Sequence, residues 1–280
     1  MPELLAWLAL LGVYDTPIDC AQCAEWNRPQ APFHVHGNTW YVGTGGLGAV
    51  LIDSGDGLLL LDGGLPQSAA VIAANIEAAG FDVADIEFIG LSHAHYDHAG
   101  GLAALQRLSG ATVYAGEDAA EVLRRGELLP TDPQYGPGRT GQAFPAVAGA
   151  VGVTDGWTLS LGDVTIRAMA TPGHTLGGTS WTWKSCEEGH CLDIVYLDSL
   201  TAVARPDYRF ADGLGEALGE TIARVADLDC DIMLSTHDAS FELHNKLAAG
   251  RDAFIDARAC QTIAAKTRTY LDKRLQTEQR

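Results

Sequence analysis

Residues 92–98 read Ser92-His93-Ala94-His95-Tyr96-Asp97-His98, and the reading of this stretch decides the fold. It follows 86–91, a short and nearly continuous apolar run with the pattern of a buried strand. A helical stretch, 102–108, comes after it. Three histidines and an aspartate therefore fall on a loop at a strand's end. In extended backbone alternate residues share a side, so His93 and His95 project together. Asp97 and His98 turn with the chain toward the helix start. Two imidazoles on one side, with a carboxylate and an imidazole next to them, suit two neighbouring ions of zinc or another first-row metal. A lone histidine is ordinarily structural. Four ligand-type residues at this spacing need another account.

A centre of this kind needs ligands from elsewhere, and two strand ends offer them. Thr171-Pro172-Gly173-His174-Thr175 follows the strand 164–170, and Ser235-Thr236-His237 follows the strand 232–234. Sites in α/β folds gather from loops at such ends. Taken singly, either histidine is equally a capping or core residue. His34, His36, His190 and His244 lack this context and read as surface or structural.

Farther out, 39–42 reads as a strand ended by Gly45-Gly46. Stretches 49–52 and 58–61 form a hairpin about Ser54-Gly55-Asp56-Gly57. A helix is predicted over 67–79, with Gly80 at its C′ position, then a strand over 112–114 and a helix over 118–124. The segment 130–145 holds Pro130, Pro133, Pro137 and Pro145 and reads as a long irregular loop of a size usually kept for function. Strands over 158–161, 164–170, 179–183 and 193–197 follow, then a helix over 215–226, the strand 232–234 and a last helix from about 252. Each half presents strands followed by helices, and two such halves pack sheet against sheet with helices outside. No linker divides them, so 38–280 is expected to be a single domain, with 1–37 an extension packing on it.

Composition narrows the class. Of 280 residues, 47% are hydrophobic and 19% charged, which excludes wholesale disorder. Thirty-six acidic against 18 basic residues give a formal charge of -18. Such a surface repels phosphate backbones, so no nucleic acid partner is expected, and the acidity reads as solubility. No run approaches the ~18 apolar residues that span a bilayer, so no membrane partner is expected. The apolar stretch 4–13 resembles a signal-peptide core but lacks a basic start and a small-x-small cleavage site. It is equally a helix packing on the domain, which is the expectation adopted.

The six cysteines are informative through spacing. Cys186 and Cys191 flank Glu187-Glu188-Gly189-His190, as in a small disulfide loop. Cys230 precedes a strand and Cys260 lies in the last helix, where they would staple that helix to the sheet. Cys20 and Cys23 form a lone Cys-x-x-Cys without the second pair a zinc site would want. An even count without a Cys₄ framework favours disulfides and an oxidising compartment, periplasmic or secreted. Scattered buried thiols in a cytosolic enzyme are the alternative.

Leu61-Asp62-Gly63-Gly64, His93-Ala94-His95-Tyr96-Asp97-His98, Pro172-Gly173-His174-Thr175, Asp198-Ser199-Leu200 and Thr236-His237, in this order, resemble the metallo-β-lactamase superfamily. The likeness runs from about Asn38 to the final helix. More closely, the chain is similar to class B β-lactamases of the third subclass (B3). The features are Asp62-Gly63-Gly64-Leu65-Pro66-Gln67, Thr179-Ser180-Trp181-Thr182-Trp183, and Ser199 where other class B enzymes carry a ligating cysteine. The pairs Cys186/Cys191 and Cys230/Cys260 also look like those of secreted members. Cys20 and Cys23 depart from the pattern. Some relatives tie an N-terminal cysteine to the loop that here holds Gly45-Gly46, so these two either pair with each other or stay free.

The resemblance implies an α/β fold, the αββα four-layer sandwich with two mixed sheets inside and helices outside. It implies two zinc ions per chain, one on His93, His95 and His174 and one on Asp97, His98 and His237, with the open positions of catalytic zinc. The implied activity is hydrolysis of the β-lactam amide in carbapenems, cephalosporins and penicillins by a metal-bridging hydroxide, conferring antibiotic resistance. Asp97 would orient the hydroxide and help move its proton. Asp62 would fix ligand geometry from behind, or simply turn the chain before Gly63-Gly64. Ser199 and Thr201 would bind the substrate carboxylate, or be ordinary strand-end hydroxyls, while Gln134 and Tyr135 would line the cleft. A periplasmic or secreted monomer acting on small β-lactams is expected.

The His-x-His-x-Asp-His core also serves thioesterases, lactonases, phosphodiesterases and nucleases. The strongest rival is a glyoxalase-II-like thioesterase or lactonase, which uses a metal-bridging aspartate from the loop that here reads Asp198-Ser199-Leu200. The -18 charge argues against a nuclease. A metal-storage module without turnover is a further reading, and six intact ligands argue against it.

Overall fold

Four consecutive leucines, Leu58–Leu61, show how the sequence builds the layers. All four are buried, yet they face two ways, as alternate residues of a strand must. Leu59 and Leu61 join the cluster between the sheets, and Leu58 and Leu60 join the cluster under the outer helices. Full burial of each contributes about 1.5–3 kcal/mol. The computed structural model describes residues 12–136 and 141–279. The apolar stretch 4–13 lies almost wholly outside them, as do 137–140 of the proline-rich loop.

The first sheet has seven strands in sequence order: β1 (Phe33–His36), β2 (Thr39–Tyr41), β3 (Val50–Asp53), β4 (Leu58–Leu61), β5 (Ile86–Gly90), β6 (Thr112–Gly116) and β7 (Val151–Val153). Pairing is antiparallel from β1 to β4 and parallel from β4 to β7. The parallel strands lie under helices, which is why β5 reads as an apolar run rather than an alternation. The second sheet comprises β8 (Thr158–Leu161), β9 (Val164–Ala170), β10 (Thr179–Glu187), β11 (His190–Leu197) and β12 (Ile232–Ser235), ordered β12-β11-β10-β9-β8. Only β11 and β12 pair in parallel. Helices Ser68–Ala78, Leu102–Ser109 and Glu117–Arg125 cover the first sheet through Ile72, Ile76, Leu105 and Leu123. Helices Gly215–Ala226 and Ala259–Glu278 pack with the second through Leu218, Ile222, Ile263 and Leu271. The fold is thus an α/β four-layer sandwich of two mixed sheets between helices.

Trp181 is fully buried and donates from Nε1 to the carbonyl of Leu91 at 3.1 Å. Thr179 N donates to the carbonyl of Ser92 at 2.8 Å. The second sheet is thereby pinned to the residues that lead into the histidine loop.

Several boundaries differ from expectation. Strands β1 and β7 were not predicted; both are short and lie at the sheet's edges. β10 and β11 extend farther than predicted and face each other up to the Cys186–Cys191 disulfide. The last helix begins at Ala259 rather than about 252. Residues Arg251–Phe254 make a 3₁₀ turn and Ile255 bridges back to Ile232, so the chain spends this stretch extending the sheet. Disulfides Cys230–Cys260 and Cys20–Cys23 also form. Ahead of β1, the backbone N–H and carbonyl of Ile18 pair with the Gln67 amide. No helix among the described residues is long and apolar enough to cross a membrane.

Candidate metal centre

Asp62 follows β4 directly and is fully buried at φ 61°, a backbone state uncommon outside glycine. Its carboxylate accepts from Ser92 N and Ser92 Oγ, both at 2.7 Å, and from Tyr196 Oη at 2.8 Å. Those bonds hold the loop where it leaves the first sheet. The chain then passes through His93 and His95 into the short helix Tyr96–Ala99, which carries Asp97 and His98.

Two groups of side chains converge there. Ligand atoms of His93, His95 and His174 lie within 4.8 Å of one another, and so do those of Asp97, His98 and His237. In the first group His95 Nδ1 and His174 Nε2 are 3.2 Å apart. In the second, His98 Nε2 lies 3.3 Å from His237 Nε2 and 3.3 Å from Asp97 Oδ2. The rings of His93 and His98, one from each group, are 4.4 Å apart. All six are buried except the partly exposed His237.

The outer ring nitrogens of the first group are held from behind. His93 Nδ1 donates to Asp198 Oδ1 at 2.7 Å. His95 Nε2 donates to both oxygens of Asp132, at 3.2 and 3.1 Å. His174 Nδ1 donates to the Thr201 carbonyl at 2.9 Å. His98 Nδ1 is buried with no hydrogen-bond partner and stands 3.5 Å from Asp62 Oδ2. A proton on the outer nitrogen leaves the inner one a lone pair, the arrangement a metal requires.

Electrostatics points the same way for His174 and His237, whereas at His98 a metal ion would have to displace a proton from the ring. Burial pushes the His174 pKa down to about 3 and that of His237 to about 4, aided by neighbouring imidazoles. Both are neutral donors at pH 7. Burial opposes charge at Asp97 as well, but His98 outweighs it and holds the carboxyl well below the usual range. For His98, burial is overcome by Asp97 and Asp62, which raise its pKa to about 10. Buried imidazole nitrogens facing one another at little more than 3 Å repel unless a cation or proton lies between them. Nitrogen and carboxylate donors with no thiolate fit zinc or a similar first-row ion.

The remaining sequence candidates have definite places. Gln134 Nε2 stands 3.4 Å from both His95 Nδ1 and His174 Nε2, at the first group. Tyr135 packs partly buried against the cluster under the outer helices. Ser199 Oγ pairs with Thr236 Oγ1 at 3.0 Å, next to His237, and Thr201 Oγ1 lies 3.0 Å from His174 Nδ1. Asp198, the rival reading's bridging ligand, is behind His93 and outside both groups. The other four histidines stay out of both groups.

Sequence reasoning did not single out Asp132, Ser92 or Tyr196 as holders of this centre. It also missed Trp26, whose ring lies 5.5 Å from that of His237. Asp132 sits in Pro130-Thr131-Asp132-Pro133, where an aspartate looks like any turn residue.

Residues 38–237 match the family described as the Metallo-beta-lactamase superfamily. Among solved structures, the chain is similar to the Rm3 metallo-β-lactamase at 44% identity, with 94% of this chain and 100% of that chain covered and a TM-score of 0.90. SMB-1 bound to 2-mercaptoethanesulfonate matches at 44% identity, covering 90% and 99%, with a TM-score of 0.87. MEM-A1, a subclass B3 metallo-β-lactamase from a soil metagenome library, matches at 44% identity, covering 90% and 98%, with a TM-score of 0.86.

Proposed function

The chain belongs to the metallo-β-lactamase superfamily, and we propose that it is a subclass B3 β-lactamase that hydrolyses the lactam amide of carbapenems, cephalosporins and penicillins with two zinc ions. The observation that carries this reading is the convergence of both complete ligand groups, His93, His95 and His174 beside Asp97, His98 and His237. Held by these groups, zinc would supply Lewis acidity for the lactam carbonyl and would acidify water.

The chain's own residues do the rest. Asp97 orients the attacking water through its carboxylate and helps to move the proton that water gives up. That proton goes to the lactam nitrogen as the C–N bond breaks and a C–O bond forms. Gln134 points its amide at the first group, where it meets the substrate. Ser199 and Thr201 offer hydroxyls to the substrate carboxylate. Asp62 acts from behind, by fixing Ser92 and the loop that follows. The glyoxalase-like alternative needs an aspartate bridging the metals, and Asp198 is engaged behind His93 instead. Residues 38–280 form the hydrolase, and the stretch ahead of it packs on it through residues such as Ile18. The disulfides favour a periplasmic or secreted protein, which we take to act as a monomer, and hydrolysis there would confer antibiotic resistance.

The test is turnover of a carbapenem and a chromogenic cephalosporin by zinc-loaded protein, followed by loss of ring absorbance with and without a chelator. Chelator-sensitive turnover is expected. Absence of turnover in protein that holds two zinc ions would overturn the reading and direct attention to thioesters and lactones.

A further inference from the structure

Two segments far apart in sequence hold the outer nitrogens of the first ligand group. Asp132 holds His95, and the Thr201 carbonyl holds His174. Four residues beyond Thr201 lies Arg205, whose contacts run back to the Asp132 segment. Arg205 Nη1 donates to the carbonyl of Asp132 at 3.0 Å and to that of Tyr135 at 3.4 Å, and its backbone N–H donates to the carbonyl of Pro133 at 2.9 Å. Three carbonyls of the turn 132–135 thus meet one residue. The guanidinium is itself steadied by Asp207 at 3.2 Å from Nε and by the Tyr208 ring, 5.3 Å from Cζ.

We propose that Arg205 is a positioning residue that clamps the turn 132–135 to the segment 199–205, setting the first metal site and the Gln134 amide together. Among the described residues the turn has few other backbone holds. Asp132 N donates to the Leu129 carbonyl, and Gln134 N to Asp132 Oδ1 at 2.7 Å, both within the loop itself. Its next link, Gln142 with Gln134 and Gly136, is again internal to the loop. Apart from the side chains of Asp132, Gln134 and Tyr135 themselves, Arg205 makes the tie to another element. With it in place, Asp132 presents both oxygens to His95 and Gln134 faces the pair His95 and His174. Without the guanidinium the turn keeps the bond from the Arg205 N–H to Pro133 but loses the other two ties, and both side chains loosen together. Nη1 alone reaches both carbonyls while Nε is left to Asp207, a division of donors that the planar guanidinium allows.

This inference rests on the metal reading of the two ligand groups, and the experiment separates the two. Stepwise zinc affinities of the full chain are measured by competition with a chromogenic chelator for wild type, Arg205→Ala, Arg205→Lys, Asp132→Ala and the double variant. Wild type that takes up fewer than two zinc ions would fail the metal reading itself. Given two, Arg205→Ala is expected to weaken one of them about tenfold while leaving the other in place, as changes behind a ligand do. It should raise KM for the β-lactam. Arg205→Lys, which keeps one donor to the turn, should recover part of the loss. In the Asp132→Ala background Arg205→Ala should cost little more, because coupled residues are not additive. Equal weakening of both ions, unchanged affinities in a folded Arg205→Ala, or strict additivity with Asp132→Ala would overturn the proposal.

Discussion

Asp198 stands behind His93: Oδ1 accepts from Nδ1 at 2.7 Å, and both side chains are buried. The bond fixes the tautomer and leaves Nε2 for the ligand group. Gly178 permits it, since a Cβ there would strike Asp198 Oδ2. The contact separates two chemistries of one superfamily. An aspartate that bridged metals would point into the groups, and this one is drawn off by a histidine. Asp198→Ala should therefore weaken zinc binding about 10–100-fold without abolishing it. It should also lower stability by about 1–3 kcal/mol by stranding a buried N–H. Chelator competition and denaturant melts check both. Complete loss of one zinc would mean that Asp198 is itself a ligand.

Asp97 lies between His98 and His237, 3.3 and 3.6 Å from their Nε2 atoms. Asp97→Asn keeps the size but removes the charge that binds metal and accepts a proton. Cephalosporin turnover should fall about 10²–10⁴-fold, the range of a lost acid–base group. Turnover at near wild-type rate with two zinc ions bound would remove Asp97 from the chemistry.

The histidine loop was legible because its ligands are local: His93, His95, Asp97 and His98 lie within six residues. Strand periodicity alone puts two of them on one side. His174 and His237 were visible only as polar residues at strand ends, and the family resemblance gave them their place. Asp132 was not legible. Its partner His95 is 37 residues away, and nothing local distinguishes it from a turn aspartate. Arg205 is hidden for the same reason, since it binds carbonyls, which every residue carries. Edge strands β1 and β7 escaped because short strands leave little periodicity to read. The last helix was started too early because Ile255 leaves helical backbone to bridge Ile232, a choice made by the sheet rather than by local propensity.

The Cys230–Cys260 bridge closes a separation of 30 residues, and Cys186–Cys191 closes one of 5. Chain entropy makes the larger loop worth more, about 3–4 kcal/mol against about 2. Replacing both cysteines of the first pair with alanine should lower Tm by on the order of 6 °C. Doing so at the hairpin tip should lower it by less. The reverse order would show that the last helix is held mainly by its packing.

Glu278 ties the end of the last helix to the turn at Phe210. Its carboxylate accepts from Phe210 N at 3.1 Å and from Ala211 N at 2.9 Å, and pairs with Arg274. Burial opposes its ionisation, but the bonds from Ala211, Arg274 and Phe210 outweigh burial and hold the carboxyl below its usual range. A pKa lowered by folding adds stability above the unfolded value, near 4.3, that is lost as pH falls through the folded value. Glu278→Gln should cost about 1 kcal/mol at pH 7, and the gap should narrow as pH falls below about 4. Denaturant midpoints of metal-stripped proteins at both pH values decide it. A gap that persists in acid would assign the loss to packing.

Thr201 has two ways to serve the site, and one substitution parts them. Its carbonyl holds His174 Nδ1 at 2.9 Å, while its hydroxyl lies 3.0 Å from the same nitrogen. Since one N–H satisfies one acceptor well, the carbonyl suffices for the histidine and the hydroxyl is free to turn to a substrate carboxylate. Thr201→Val keeps the shape and the carbonyl and deletes only the hydroxyl. Zinc affinity should stay within about twofold of wild type, because the ring is still held from behind. KM should rise about tenfold with kcat little changed, the mark of binding lost equally from ground and transition states. If zinc affinity falls instead and KM holds, the hydroxyl belongs to the metal site, and Ser199 alone is left to meet the carboxylate.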